Sequence, residues 1–247
     1  MHRCSDHFEG KSVVDHLKIA RAKGALASAE IHGTEMPGHL AATADASKET
    51  TLALASLFII THYFANASQT FLILTLFSCT WLIWKTGRSA LLGWARMERL
   101  HRVIEEEKWE IEHHRQQERE ELTELYRAKG LSGKLLSDVI DVLMADDDRL
   151  LKLMLEEELG LTLEAYEHPL KQSAGACIGV LISSALLLSS YWFFPTFGIP
   201  VIGFCILAAS AAIAAHLEGN KRLSAVVWNV SIAILTLGTA YFIGKLF

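Results

Sequence analysis

No pair among the four cysteines has the CxxC or zinc-like spacing that a redox or zinc framework needs. Cys4, Cys79, Cys177 and Cys205 are scattered, three of them inside apolar stretches, and they read as buried reduced thiols. The N-terminus, MHRCSDHFEGKSVVDH, lacks the apolar core of a secretory signal, so this end is expected to be kept and the chain to enter the membrane through its first span. A net charge of −5 gives no reason to expect nucleic acid as a partner. The acidic run ADDD at 145–148 lacks the alternating acids, central glycine and terminal glutamate of an EF-hand, and reads as helix capping.

What the chain has in excess is apolar sequence. Hydrophobic residues make up 51% of it, with a mean hydropathy of +0.26, and they fall in blocks. Two stretches occupy residues 50–92 and three more occupy 173–247, while residues 1–48 and 96–168 hold most of the charge. The pattern predicts an all-α membrane protein of five spans, with spans 1 and 2 in 49–95, spans 3 to 5 in 169–247, and a helical domain at 96–168 inserted between them. The first apolar run, 51–65, is short against roughly 30 Å of hydrocarbon at about 1.5 Å per residue. The second span is expected to run on as a rigid rod into the insert, folding back near 115–118. Lys and Arg collect in 1–48, in the insert and at Lys221 and Arg222, and the NASQT and PTFGIP turns carry none. The positive-inside rule therefore places the N-terminus and insert in the cytoplasm and the C-terminus on the opposite side; a bacterial inner membrane, rather than an organelle membrane, is the expected location.

The insert carries the chemistry. Glu110 and His113 are three apart, as are Glu121 and Glu124, and Met154 and Glu158 are four apart; on a helix each pair shares a face. Carboxylates with an imidazole and a thioether suit a divalent cation. The same composition, Glu laced with Arg and Lys, also describes a plain solvated face held by i,i+4 pairs. His32, Glu35 and His39 surround a turn and read as a loop.

The segments EREELTELYRAKGL and DRLLKLMLEEELGL, in that order within a five-span pattern, resemble the vacuolar iron transporter family and its bacterial relatives. The resemblance covers residues 93–161 and, more loosely, the last three spans. It implies a homodimer in the lipid bilayer whose cytoplasmic helices collect Fe²⁺ before it crosses, with Mn²⁺, Co²⁺ or Zn²⁺ tolerated, in iron storage or detoxification. Position by position, Glu121 and Glu124 match the glutamate pair before the Tyr-x-x-Lys-Gly turn, Glu158 the glutamate before Leu-Gly-Leu, and Met154 the first of a Met-Met pair whose second member is here Leu155. Glu110 and His113 fall on two glutamates three apart.

The family also carries an acid within each of its first two spans, and this chain has neither. Asp45 and Glu49 precede the first span, Glu98 follows the second, and Lys85 and Arg88 stand near the membrane border. These three acids are the candidates for an ion pathway. The alternative is a non-transporting relative that uses its helical insert as a metal sensor or a structural dimerisation module. An enzyme, a membrane di-iron oxidase on Glu110-x-x-His113, ranks behind both of these readings.

Overall fold

A computed structural model describes residues 12–28, 37–161 and 167–246. Among the described residues it contains nine α-helices and no strand. They divide into two compact units. One holds α1 (Val13–Ser28), the part of α3 (Ala67–His113) from residue 95 on, α4 (Arg115–Ala128), α5 (Gly133–Leu143) and α6 (Asp147–Glu157). The other holds α2 (Gly38–Thr61), α3 up to Trp94, α7 (Pro169–Phe193), α8 (Gly198–Leu217) and α9 (Arg222–Gly244).

Four of the described helices, α3, α7, α8 and α9, are long and apolar enough to cross a membrane. The helix that departs from the expected five is α2. The sequence suggests a short apolar run at 51–65 after the charged region 1–48, whereas the structure makes one helix of 24 residues from Gly38. Its length is ample, but Asp45, Lys48 and Glu49 lie along it, so its apolar part alone is too short. The expected rod is present: α3 is a single helix of 47 residues, about 70 Å at the usual rise.

In the apolar unit, α2 is the central element. Ala41, Ala42, Ala46, Leu54 and Ala55 on it are almost fully enclosed. Small residues let helix backbones approach closely where no water competes for their polar groups. A Cβ at Gly175 would overlap the carbonyl oxygen of His39, and one at Gly179 that of Thr43. Thr43 Oγ1 donates to the Gly175 carbonyl at 2.8 Å and Ser47 Oγ to the Gly179 carbonyl at 3.3 Å. Gly175-x-x-x-Gly179, which by sequence suits either a second copy or a neighbour in the same chain, therefore packs α7 against α2. Gly179→Leu is expected to force these helices apart, at a cost of about 2 kcal/mol or more. Melting of the detergent-purified protein measures it, and an unchanged transition temperature would contradict the close packing.

Three of the cysteines need correction, and Cys4 lies outside the described residues. Cys79 and Cys205 are exposed and Cys177 is half-buried, all as free thiols, because apolar helices of a membrane protein turn part of their apolar surface outward. Exposed Leu72, Ile83, Leu181, Phe204 and Leu235 follow the same rule.

The unit of α1, the end of α3 and α4 to α6, the helical unit, is built around two apolar clusters. Leu17, Leu122, Leu125, Ile140, Leu150 and Met154 share one apolar cluster, and Ala20, Leu100, Val103, Leu155 and Leu161 another. Asp146 caps α6 by accepting from the Arg149 N–H at 2.8 Å, the role expected of the acidic run. Gly130 and Gly160 take positive φ, +95° and +67°, just beyond the ends of α4 and α6. The rod folds back at His114, whose φ of −125° and ψ of 32° separate α3 from α4.

Candidate metal centre

Three helices of the helical unit bring carboxylates to one place. On α3, Glu107 and Glu110 are three apart; on α4, Glu118 and Glu121 are three apart; and Glu158 follows the last residue of α6. His16 reaches in from α1. Its Nε2 lies 3.6 Å from Glu121 Oε1 and 3.8 Å from Glu158 Oε1. One ligand atom from each of His16, Glu121 and Glu158 lies within 4.8 Å of the other two, and the same holds for Glu107, Glu118 and Glu158. Glu158 belongs to both groups.

The burial is what gives this cluster meaning. Glu118 and Glu121 are 1% and 0% exposed, and Glu107 and Glu158 are 4% and 3% exposed. Taking an ionised carboxylate out of water is costly unless a cation or a proton compensates it. Burial first, then the charges of Glu107, Glu121, Glu158 and Glu110, push the Glu118 carboxyl up to about 10. Burial also pushes Glu121 up to about 7, with Glu110 and Glu120 adding to it and a hydrogen bond with Glu158 opposing it. Glu158 has a further handicap: it sits at the C-terminal cap of α6, where the helix dipole disfavours negative charge. A group of acids held together against desolvation, mutual repulsion and a helix dipole is an arrangement that a divalent cation relieves.

Of the six residues expected as ligands, Glu121 and Glu158 lie in the cluster, and Glu110, half-buried, is close enough for its charge to act on Glu118 and Glu121. His113 is exposed, with its ring stacked on Trp109 at 4.5 Å and its Nδ1 2.9 Å from the Trp109 carbonyl. Glu124 is paired with Arg127 and lines an outer groove beside Arg119 and Gln116. Met154 is wholly enclosed in the apolar cluster; its carbonyl accepts the Glu158 N–H at 2.9 Å and so fixes the backbone that carries Glu158.

Glu107, Glu118 and His16 were missed. The signal was available for two of them. Leu100, Val103, Glu107 and Ile111 form one buried stripe on α3, and Glu118, Leu122 and Leu125 one on α4. A carboxylate standing at an apolar position of a helical stripe marks an inward-facing acid. His16 offers no comparable signal, since its position depends on how α1 docks.

The acids proposed for an ion pathway lie elsewhere. Asp45 and Glu49 on α2 line a cavity of about 120 Å³ with Lys85, Arg88 and Ser89. Lys85 Nζ is 2.5 Å from Glu49 Oε2, and Lys48 Nζ is 3.3 Å from Asp45 Oδ1. Glu98 is exposed on the helical unit. His39, beside the turn read as a loop, has its Nδ1 2.7 Å from Glu167 Oε1; His32 and Glu35 lie outside the described residues.

A family model described as the VIT family matches residues 94–245, well over half of the chain. The chain belongs to the VIT family. It is thus a relative of the vacuolar iron transporters, a multi-pass membrane protein in a family of metal-ion transporters rather than enzymes. The matched region of this VIT-family chain contains Glu107, Glu118, Glu121 and Glu158, and begins after His16, Asp45, Glu49 and Lys85. No curated protein matches it.

Proposed function

We propose that the helical unit captures a divalent metal ion, Fe²⁺ foremost and Mn²⁺, Co²⁺ or Zn²⁺ with it, which the membrane unit then carries across the bilayer in iron storage or detoxification. The observation that carries this reading is the convergence of Glu107, Glu118, Glu121 and Glu158 from three helical segments into a buried cluster. Carboxylates on rigid helices supply the oxygen ligands such ions take, as in other helical bundles that hold them. In this reading the N-terminus and helical unit are cytoplasmic, α2 completes five crossings, and two chains assemble as a homodimer. Support for the last point is the resemblance and the large outward apolar surface of α9, on which only Ala233 is buried.

The test is metal binding by the full-length protein in detergent. Wild type is expected to bind Fe²⁺ under anaerobic conditions at micromolar or better affinity. Glu121→Ala combined with Glu158→Ala is expected to weaken it by at least a hundredfold, on the order of 3 kcal/mol. Binding that survives both changes would remove this cluster as the site. Metal-dependent flux into proteoliposomes tests transport separately.

A second reading, a non-transporting relative that senses metal or dimerises through the helical unit, has one observation in its favour. The acids of α2 are already paired with lysines. Binding without flux would select it.

A further inference from the structure

We infer that α1 supplies His16 as a nitrogen ligand to the metal centre, forming with Glu121 and Glu158 a subsite for borderline ions beside the all-carboxylate subsite of Glu107, Glu118 and Glu158. This rests on the metal-binding reading above and adds a ligand from outside the region that the family model matches.

The position of His16 is set by packing, independently of the acids. Ser12 Oγ accepts the Asp15 N–H at 3.2 Å and donates to Asp15 Oδ2 at 2.8 Å, starting α1 one turn before His16. Leu17, the next residue, is buried with Leu122, Leu125 and Met154, and Ala20 is buried with Leu155 and Leu159. Those contacts seat α1 on its neighbours and leave the imidazole at the edge of the cluster, its side chain 20% exposed against 0% for Glu121 and 4% for Glu158. The ring therefore forms the solvent-side boundary of the centre, where an arriving ion first meets it.

An imidazole changes which ions such a place prefers. Mn²⁺ and Mg²⁺ are served by carboxylates alone, whereas Co²⁺, Zn²⁺ and Fe²⁺ gain from a nitrogen donor. Glu158 belongs to both ligand groups, so an ion held by His16 shares a ligand with the inner group and has a short path to it. An ordinary ion pair is the competing account: His16 as an imidazolium that merely offsets the acids. An arginine would then serve as well. It would not serve as a ligand, since guanidinium stays protonated and has no lone pair to give.

The experiment measures Co²⁺ and Mn²⁺ affinities of the full-length detergent-purified protein, with X-ray absorption of the Co²⁺-loaded form. Wild type should show imidazole scattering, and His16→Ala should lose it, with Co²⁺ affinity falling tenfold or more and Mn²⁺ affinity less than threefold. His16→Arg should behave as His16→Ala does. His16→Asp should move the preference toward Mn²⁺. If Glu121→Gln weakens Co²⁺ binding while His16→Ala or His16→Arg leaves affinity and spectrum unchanged, His16 is no ligand and the carboxylate centre stands without it. If wild type binds neither ion, the metal reading fails and this inference with it.

Discussion

Glu118→Gln is expected to stabilise the metal-free protein at pH 8, on the order of 3 kcal/mol for the helical unit. In the folded chain burial and four neighbouring carboxylates hold Glu118 up to about 10 from an ordinary 4.5. Between those values the folded chain keeps a proton that the unfolded chain has released, so stability is greatest below about pH 4.5 and declines as pH rises toward 10. Glu121, raised to about 7, adds a second decline that is complete near neutrality. Glutamine cannot ionise, which removes the Glu118 part of the slope while keeping the side chain's volume. Thermal melting in detergent from pH 5 to pH 9 measures both effects. The wild-type transition should fall with pH and the Gln variant's should fall less, the gap widening toward pH 9. A divalent ion at pH 8 should raise the wild-type transition more than the variant's, because it replaces the retained protons in the one and meets a weaker ligand set in the other. Parallel pH curves for the two proteins would mean that Glu118 ionises freely and is not the strained acid its burial implies.

Much of this centre was legible as spacing, and less of it as direction. Pairs of acids three apart on neighbouring helices were readable, but the register that converges is 107/110 with 118/121, one turn before the 110/113 and 121/124 pairs that the motif suggested. Spacing says which residues share a face; it does not say which face turns inward. That is settled by the apolar neighbours, and Ile111, Leu122 and Leu125 pull Glu107, Glu118 and Glu121 inward with them while leaving His113 to Trp109. The helix ends near Gly130 and Gly160 and the helix start at Asp146 are readable because each has a local cause in turn or capping chemistry. The break at His114 has no glycine or proline to announce it. The span pattern was readable for α3, α7, α8 and α9. For α2 only the apolar run was readable, because Asp45, Lys48 and Glu49 interrupt the N-terminal half of what the structure makes one helix.

Lys85→Met is expected to raise metal flux through proteoliposomes at least tenfold over wild type. The cavity beside α2 holds Asp45 and Glu49 against Lys85 and Arg88, so its formal charge is near zero and a divalent ion entering it exchanges water for nothing. Lys85 is nearly buried, 8% exposed, and stands 2.5 Å from Glu49; it occupies the place next to the carboxylate that a mobile cation would take. Charges a few ångströms apart in such surroundings interact by roughly 4 kcal/mol per unit pair, and each 1.4 kcal/mol is about a tenfold change in occupancy, so tenfold allows for screening by solvent at Glu49. Methionine keeps a long apolar stem and a thioether while removing the positive charge. Lys85→Arg keeps the charge and should conduct no better than wild type, which separates the electrostatic effect from mere loosening of the helices. The measurement is uptake of Mn²⁺ and Fe²⁺ with a metal-sensitive dye inside the vesicles, alongside the melting temperature of each variant. Equal flux from wild type and Lys85→Met, with both proteins folded, would mean that ions cross without passing Glu49, and that this lysine closes nothing.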